Sequence, residues 1–262
     1  MPPKTREVDI VRGDTLYDDG VHKFIWLGWE EHEEEGLVQV NQYLIENRGM
    51  GVILDPGGVH VFPRVVANVS RYVDLDKIGH LFFSHQDPDV SSGVALWLSV
   101  TNAKVYISKW WVRFLPHYGI FDMNKIVPLE EGGGRIALPS GDYLEIIPAH
   151  FLHSVANFHV YDPRSKILFT GDLGAAIFPK GQRYTYVEDF DSHLKLMEGF
   201  HRRYLASNNV IRRYLERIKN LDINVVAPQH GAIMHKKEHI QRFFNWLSGL
   251  KCGSDLIDEF YR

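Results

Sequence analysis

The stretch Leu81-Phe82-Phe83-Ser84-His85-Gln86-Asp87-Pro88-Asp89-Val90-Ser91-Ser92-Gly93 joins an apolar run to one imidazole and two carboxylates within five residues. The apolar part reads as a buried strand, Ile78 to Ser84, which leaves the polar cluster at that strand's C-terminal end. His85, Asp87 and Asp89 would make a costly core, because a buried charge needs a partner. The same trio is a ready set of nitrogen and oxygen donors for a metal. Its alternation turns the donors to more than one side of the loop, which suits two ions better than one.

Three later segments repeat the pattern of an apolar strand that stops at a candidate ligand. They are Ile146-Ile147-Pro148-Ala149-His150-Phe151-Leu152-His153, then Ile167-Leu168-Phe169-Thr170-Gly171-Asp172, then Val225-Val226-Ala227-Pro228-Gln229-His230. In open α/β layers the loops after strand C-termini converge on one rim. Such a rim would gather His85, Asp87, Asp89, His153, Asp172 and His230 around one point. Taken singly, each is also an ordinary cap or turn residue. The ordered set carries the reading.

Working outward, Lys23 to Gly28, Gln42 to Asn47 and Gly51 to Asp55 read as extended, with Pro56-Gly57-Gly58 as the turn that ends the third. Val65 to Val73 has helical spacing. Ser91 and Ser92 are candidate N-caps for a helix over Val94 to Val100. Lys104 to Ser108 is a further strand, and Trp110-Trp111 opens an aromatic-rich insertion that runs to Phe121. Ile126 to Asp172 is β-rich. Leu194 to Asn220 and Lys236 to Leu250 read as helical, with a short strand from Ile223 to Pro228 between them. Strands and helices arriving in two successive blocks fit an α/β fold, a four-layer αββα sandwich, in one domain over residues 1–262.

Bulk properties exclude several classes. The formal charge of −4 lacks the basic stripe of a nucleic-acid footprint. No run approaches the roughly 18 apolar residues of a membrane span, and the N-terminal residues have no apolar signal-peptide centre. A single cysteine, Cys252, excludes an internal disulfide and a thiolate-rich metal site. A cytoplasmic location is expected.

The order His-x-Asp-x-Asp, then His, then Asp after an eighteen-residue gap, then His-Gly resembles the metallo-β-lactamase fold superfamily, and within it the flavodiiron branch. The acidic Asp87, the Phe151-Leu152-His153-Ser154 phrase and the Arg203-Tyr204-Leu205-Ala206-Ser207-Asn208 region point to that branch. Flavodiiron enzymes continue into a flavodoxin domain that binds FMN, whereas this chain ends at Arg262. The expectation is therefore a stand-alone diiron core, similar to the oxygen-binding diiron sensors of bacterial chemotaxis. By that resemblance His85, Asp87 and His153 hold one iron, Asp89 and His230 hold the other, and Asp172 bridges them. Two departures are plain. Asp87 stands where flavodiiron enzymes usually carry Glu, and Val90 replaces a histidine found beside the second metal in many relatives. Val90 is expected to leave an open coordination position behind an apolar wall.

The resemblance implies a non-haem diiron protein that binds O2, with NO as a second candidate ligand, either as a sensor or as a slow oxygen reductase fed by an external donor. The rival is a binuclear zinc hydrolase, in which a bridging hydroxide attacks an ester-like bond. Three carboxylates and no thiolate suit iron, zinc or manganese, and the hard oxygen donors favour iron. Partners implied are a small diatomic ligand, a redox or chemotaxis-type signalling protein, and a second copy of the chain as a homodimer. Asp55, in Leu-Asp-Pro-Gly, is expected to orient a metal-bound histidine. His150 is expected to support rather than bind metal, and His159 to be a plain strand residue. Glu30-Glu31-His32-Glu33-Glu34-Glu35 reads as a solvated acidic loop. Trp110, Trp111, Phe114, His117, Tyr118 and Phe121 are expected to pack as core, with a pocket wall or a dimer surface as alternatives.

Overall fold

The computed structural model describes residues 8–31 and 38–262. The first block opens with an antiparallel meander of β1 (Asp14–Asp18), β2 (His22–Trp26), β3 (Tyr43–Asn47) and β4 (Met50–Leu54). Helix α1 (Phe62–Val69) then leads to β5 (Ile78–Phe82), which lies parallel to β4. Short helices α2 (Pro88–Ser91) and α3 (Val94–Val100) follow, and β6 (Lys104–Ser108) and β7 (Ile126–Leu129) complete a seven-stranded sheet in sequence order.

The second block supplies β8 (Gly134–Ala137), β9 (Tyr143–Pro148), β10 (Phe158–Asp162) and β11 (Ile167–Phe169). Helices α4 (Phe190–Tyr204) and α5 (Asn208–Ile218) precede β12 (Val225–Ala227), and α6 (Lys237–Gly249) follows it. The five strands order as β12-β11-β10-β9-β8, with β12 parallel to β11.

Side chains of a strand alternate between faces, and the inner strands of both sheets bury both sets. Phe24, Trp26, Tyr43, Ile45, Val52, Leu54 and Phe82 meet Leu144, Ile146, Phe158, Val160, Ile167 and Phe169 between the sheets. The intervening Ile25, Leu44, Ile53 and Leu81 face outward, under Val65, Val69, Val94 and Trp97 of the first helical layer. Ile147, Tyr161, Leu168 and Val226 do the same under Met197, Ile211, Tyr214, Phe243 and Leu247. Each fully buried large apolar side chain contributes roughly 1.5–3 kcal/mol, so three such layers hold the expected αββα sandwich. Among the described residues no helix is long and apolar enough to cross a membrane.

Three local expectations change. The helical stretch from Leu194 to Asn220 is two helices. Asp189 caps α4 by accepting from the backbone N–H groups of Asp191 and Ser192, so the helix starts at Phe190. It stops because Leu205 turns extended and bridges Leu152, while Ala206 N–H donates to Phe151 O at 3.1 Å. Ser91 and Ser92 do not cap α3, which Gly93 precedes without a side-chain bond. Pro88, preorganised for a first helical turn, starts α2 directly after Asp87 and draws Ser91 into it. Helix α1 also ends at Val69, short of Val73.

Candidate metal centre

The four loops that follow β5, β9, β11 and β12 meet at one rim of the sandwich. Asp172 lies at their centre. Its Oδ1 stands 3.8 Å from His85 Nε2 and 3.6 Å from His230 Nε2, and its Oδ2 is 3.5 Å from His153 Nε2. On one side Asp87 Oδ2 is 2.8 Å from His153 Nε2 and 3.6 Å from His85 Nε2. On the other, Asp89 Oδ2 is 3.3 Å from His230 Nε2. The structure thus brings all six candidate residues together, split by Asp172 into a group of three and a group of two.

Local chain geometry explains the convergence. Gly171 has a positive φ, and a Cβ there would meet Ser84 Oγ at 2.9 Å, so only glycine lets the Asp172 turn close on the His85 strand. Gly231 plays the same part behind His230, where a Cβ would strike Ala176 Cβ at 2.7 Å. His153 itself sits at φ 101°, a left-handed conformation that costs about 1–3 kcal/mol in a non-glycine residue and persists only when its surroundings hold it. Asn41 anchors the His230 turn: its amide donates to the carbonyls of Pro228 and Gly231, both at 2.9 Å, while its oxygen accepts from the indoles of Trp26 and Trp29.

Two histidines have their tautomers set from behind. Ser84 gives its hydroxyl hydrogen to Asp55 Oδ2 at 2.6 Å, so the hydroxyl oxygen, 2.8 Å from His85 Nδ1, is left to accept from that nitrogen. His230 Nδ1 donates to the Gln39 carbonyl at 2.8 Å. Both rings therefore turn Nε2 toward Asp172, leaving that nitrogen as the one a bound cation would take in place of a proton. Asp55 stands behind His85, but it reaches the ring through Ser84 rather than directly.

The electrostatics call for positive charge. Burial disfavours a charged His85, yet Asp172, Asp87 and Asp55 outweigh it and push its pKa up to about 9. His230 is likewise opposed by burial and raised to about 9 by Asp172 and Asp89. Burial would raise Asp87, but His153 and His85 hold it well below the carboxylate range, and His230 lowers Asp89 in the same way.

The donor set fits metal ions. Donors on one ion at about 2.1 Å stand about 3.0–3.4 Å apart, close to the spacings above, and the donor atoms of His85, His153 and Asp172 all lie within 4.8 Å of one another. Asp172 Oδ1 is buried and accepts no hydrogen bond among the described residues, so a cation would satisfy it.

Other expected positions separate from this centre. His150 turns away, with Nε2 at 2.9 Å from the Glu131 carbonyl. His159 is a strand residue of β10, with Nδ1 2.6 Å from the Tyr214 hydroxyl. Glu30 is no free loop carboxylate, because Arg64 donates to it at 2.7 Å, and residues 32–35 of the acidic stretch lie outside the described residues. Val90 is fully buried in the core between the first sheet and its helices. The aromatic insertion divides: Trp111 and Leu115 are buried, whereas Trp110 and Phe121 are exposed.

Several residues carry the site without a sequence signal of their own. Ser84, Asn41 and the Gln39 carbonyl act across the fold. Phe200 and Tyr204, one turn apart on α4, flank the His153 ring at centroid distances of 5.6 Å and 5.4 Å.

The model of the ODP family beta lactamases matches residues 38–231. The chain belongs to the ODP beta-lactamase family. Its members' architecture is the metallo-β-lactamase-like sandwich described above. The chain is similar to a solved structure of the peroxy diiron species of chemotaxis sensor ODP, with 53% identity, a TM-score of 0.85 and coverage of 95% of this chain and 99% of that one. It is similar in the same degree to the apo state of the T. denticola sensor, with 53% identity, a TM-score of 0.84 and coverage of 95% and 98%. Among curated proteins it resembles a diflavin flavoprotein of Synechocystis sp., 28% identical over 72% of this chain and 33% of that protein. The chain spans between about a third and three fifths of the length of the curated relatives it matches, reaching 58% for one from Methanocaldococcus jannaschii.

Proposed function

We propose that this chain holds two iron ions at the six-residue centre and binds O2 there, with NO as a further ligand, as an oxygen sensor. His85, Asp87 and His153 would hold one ion, Asp89 and His230 the other, and Asp172 would span both. The observation that carries this reading is the position of Asp172, faced by the Nε2 atoms of two histidines whose rings are held from behind. The likeness to the chemotaxis sensor ODP over nearly the whole of both chains supports iron and oxygen in particular.

Two ferrous ions would supply electrons and open positions for a diatomic ligand. The chain's own residues do the rest. Asp55 and Ser84 hold His85 in its metal-binding tautomer, and Gln39 does so for His230. Phe200 stacks on the His153 ring and Tyr204 packs beside it, which would hold that ring in place. Gln86 donates to Asp87 Oδ1 at 2.9 Å and so fixes which oxygen faces the centre. We read residues 1–262 as one domain and place it in the cytoplasm, where a chemotaxis-type partner would read its state. A second copy of the chain is a candidate partner.

The test is metal analysis of protein produced with ample iron, followed by an anaerobic ferrous spectrum before and after air. Two irons per chain and a new visible band on oxygenation support the reading. Two zinc ions, no band and hydrolysis of a chromogenic ester would replace it with the hydrolase.

A further inference from the structure

Behind the metal loop, on the side of the aromatic insertion, lies a cavity of about 340 Å³. Its apolar wall is Ile107, Trp111, Phe114 and Leu115, and its polar edge is Gln86, Ser91, His117 and Tyr118. The volume lies at the lower end of the about 300–1,000 Å³ typical of small-molecule sites, and an apolar lining with a few convergent polar groups is their usual chemistry. Among the described residues no carboxylate, lysine or arginine lines it. Arg113 packs over the Phe114 ring, with its guanidinium carbon 4.8 Å from the ring centroid. The wall is largely apolar and carries the tilted Trp111 and Phe114 rings, 5.9 Å apart, so the cavity suits a flat, neutral molecule with a polar edge.

The polar edge is also part of the metal loop. Ser91 Oγ lies 2.9 Å from the Gln86 carbonyl, 3.0 Å from the Asp87 carbonyl and 3.2 Å from the Tyr118 hydroxyl, which joins the insertion to the loop. Gln86 is joined in two directions: its amide donates to Asp87 Oδ1 at 2.9 Å, and its oxygen accepts from Ser154, next to His153, at 2.6 Å. A molecule that hydrogen-bonds Gln86 competes with the bond to Asp87.

We propose that this cavity binds a small, neutral, flat aromatic molecule carrying a hydrogen-bonding edge, and that Gln86 transmits its occupancy to Asp87. The binding half stands on the cavity alone. The transmission half rests on the proposed metal role of Asp87.

The probe is 2-naphthol. In the metal-free full chain, its titration is followed by the indole N–H resonances of the six tryptophans, with that of Trp111 assigned by Trp111→Phe. The expected result is a saturable shift of the Trp111 signal, weakened about tenfold or more in Phe114→Ala, which removes one wall. No saturable shift, or equal shifts of every indole, overturns the binding site. Transmission is read by cobalt(II) affinity against a competing chelator, with and without 2-naphthol. The probe should change the affinity of the native chain and leave that of Gln86→Met unchanged. An equal response in both, or in neither, overturns the transmission. Neither readout uses iron, so a failed diiron reading shows itself separately, as missing iron and a missing oxygenation band.

Discussion

The carboxylate of Asp55 accepts both polar hydrogens of Ser84, the backbone N–H at 2.7 Å and the hydroxyl at 2.6 Å. Burial raises the Asp55 pKa to about 7, so keeping a charge there is unfavourable for the fold alone. Its use lies in aiming His85. Asp55→Asn should leave thermal stability near that of the native chain while metal affinity falls about 10–100-fold, the usual effect of removing a group that orients a ligand. Chelator competition with cobalt(II) or zinc measures it. Unchanged affinity would assign Asp55 to the turn alone.

Asp172 and Asp89 should differ in kind. Asp172 faces His85, His153 and His230, whereas Asp89 lies beside His230. Asp89→Asn should retain about one tightly held ion per chain, and Asp172→Asn should retain less than that, because both groups of donors lose their shared carboxylate. Metal-to-protein ratios after gel filtration decide. Equal ratios in the two variants would refute a spanning role for Asp172.

Val90 is fully buried. Val90→His places an imidazole in apolar packing, which costs about 1–3 kcal/mol if its nitrogens stay unpaired. If the ring instead reaches the second ion, metal loading should restore the lost stability and shorten the life of the oxygenated band. Thermal melts with and without metal, and the band's decay in air-equilibrated buffer, test this. An unchanged lifetime would show that position 90 does not govern the oxygenated state.

Acid should weaken the fold by a route separate from the metal. Burial lowers the pKa of His159 to about 3 and those of His193 and His201 to about 4. The unfolded chain takes up these protons near pH 6.5, so it binds more protons than the native state between that pH and the folded values. Their stabilising contribution is full above about pH 6.5 and is lost as pH falls toward 4. Urea midpoints of the metal-free protein should drop across that window. The drop should be shallower in His159→Gln, which can still bond the Tyr214 hydroxyl. A slope unchanged in that variant would remove His159 from the account.

The centre was legible because its ligands follow a rule that acts along the chain: an apolar strand stops, and a donor follows. His85, Asp87, Asp89, His153, Asp172 and His230 all carry that local mark, and the two successive blocks of strands and helices gave the layers. What orients them acts across the fold. Ser84 lies 29 residues from Asp55, and Asn41 lies 187 from Pro228, so neither pairing leaves a local pattern. The break between α4 and α5 was hidden for the same reason. Leu205 has helical neighbours and a helical pattern, but it ends the helix by bridging Leu152. Position 90 reads in the sequence as an apolar wall of the site; in the structure its valine is fully buried among the core residues of the first sheet.

The most direct test of the central claim is the Mössbauer spectrum of protein loaded anaerobically with ⁵⁷Fe, recorded before and after O2. The account predicts two iron ions per chain, high-spin ferrous at first, converted together by O2 to a spin-coupled diamagnetic ferric pair. Iron that binds at one ion per chain, or two ions that oxidise independently into paramagnetic ferric centres, would contradict it.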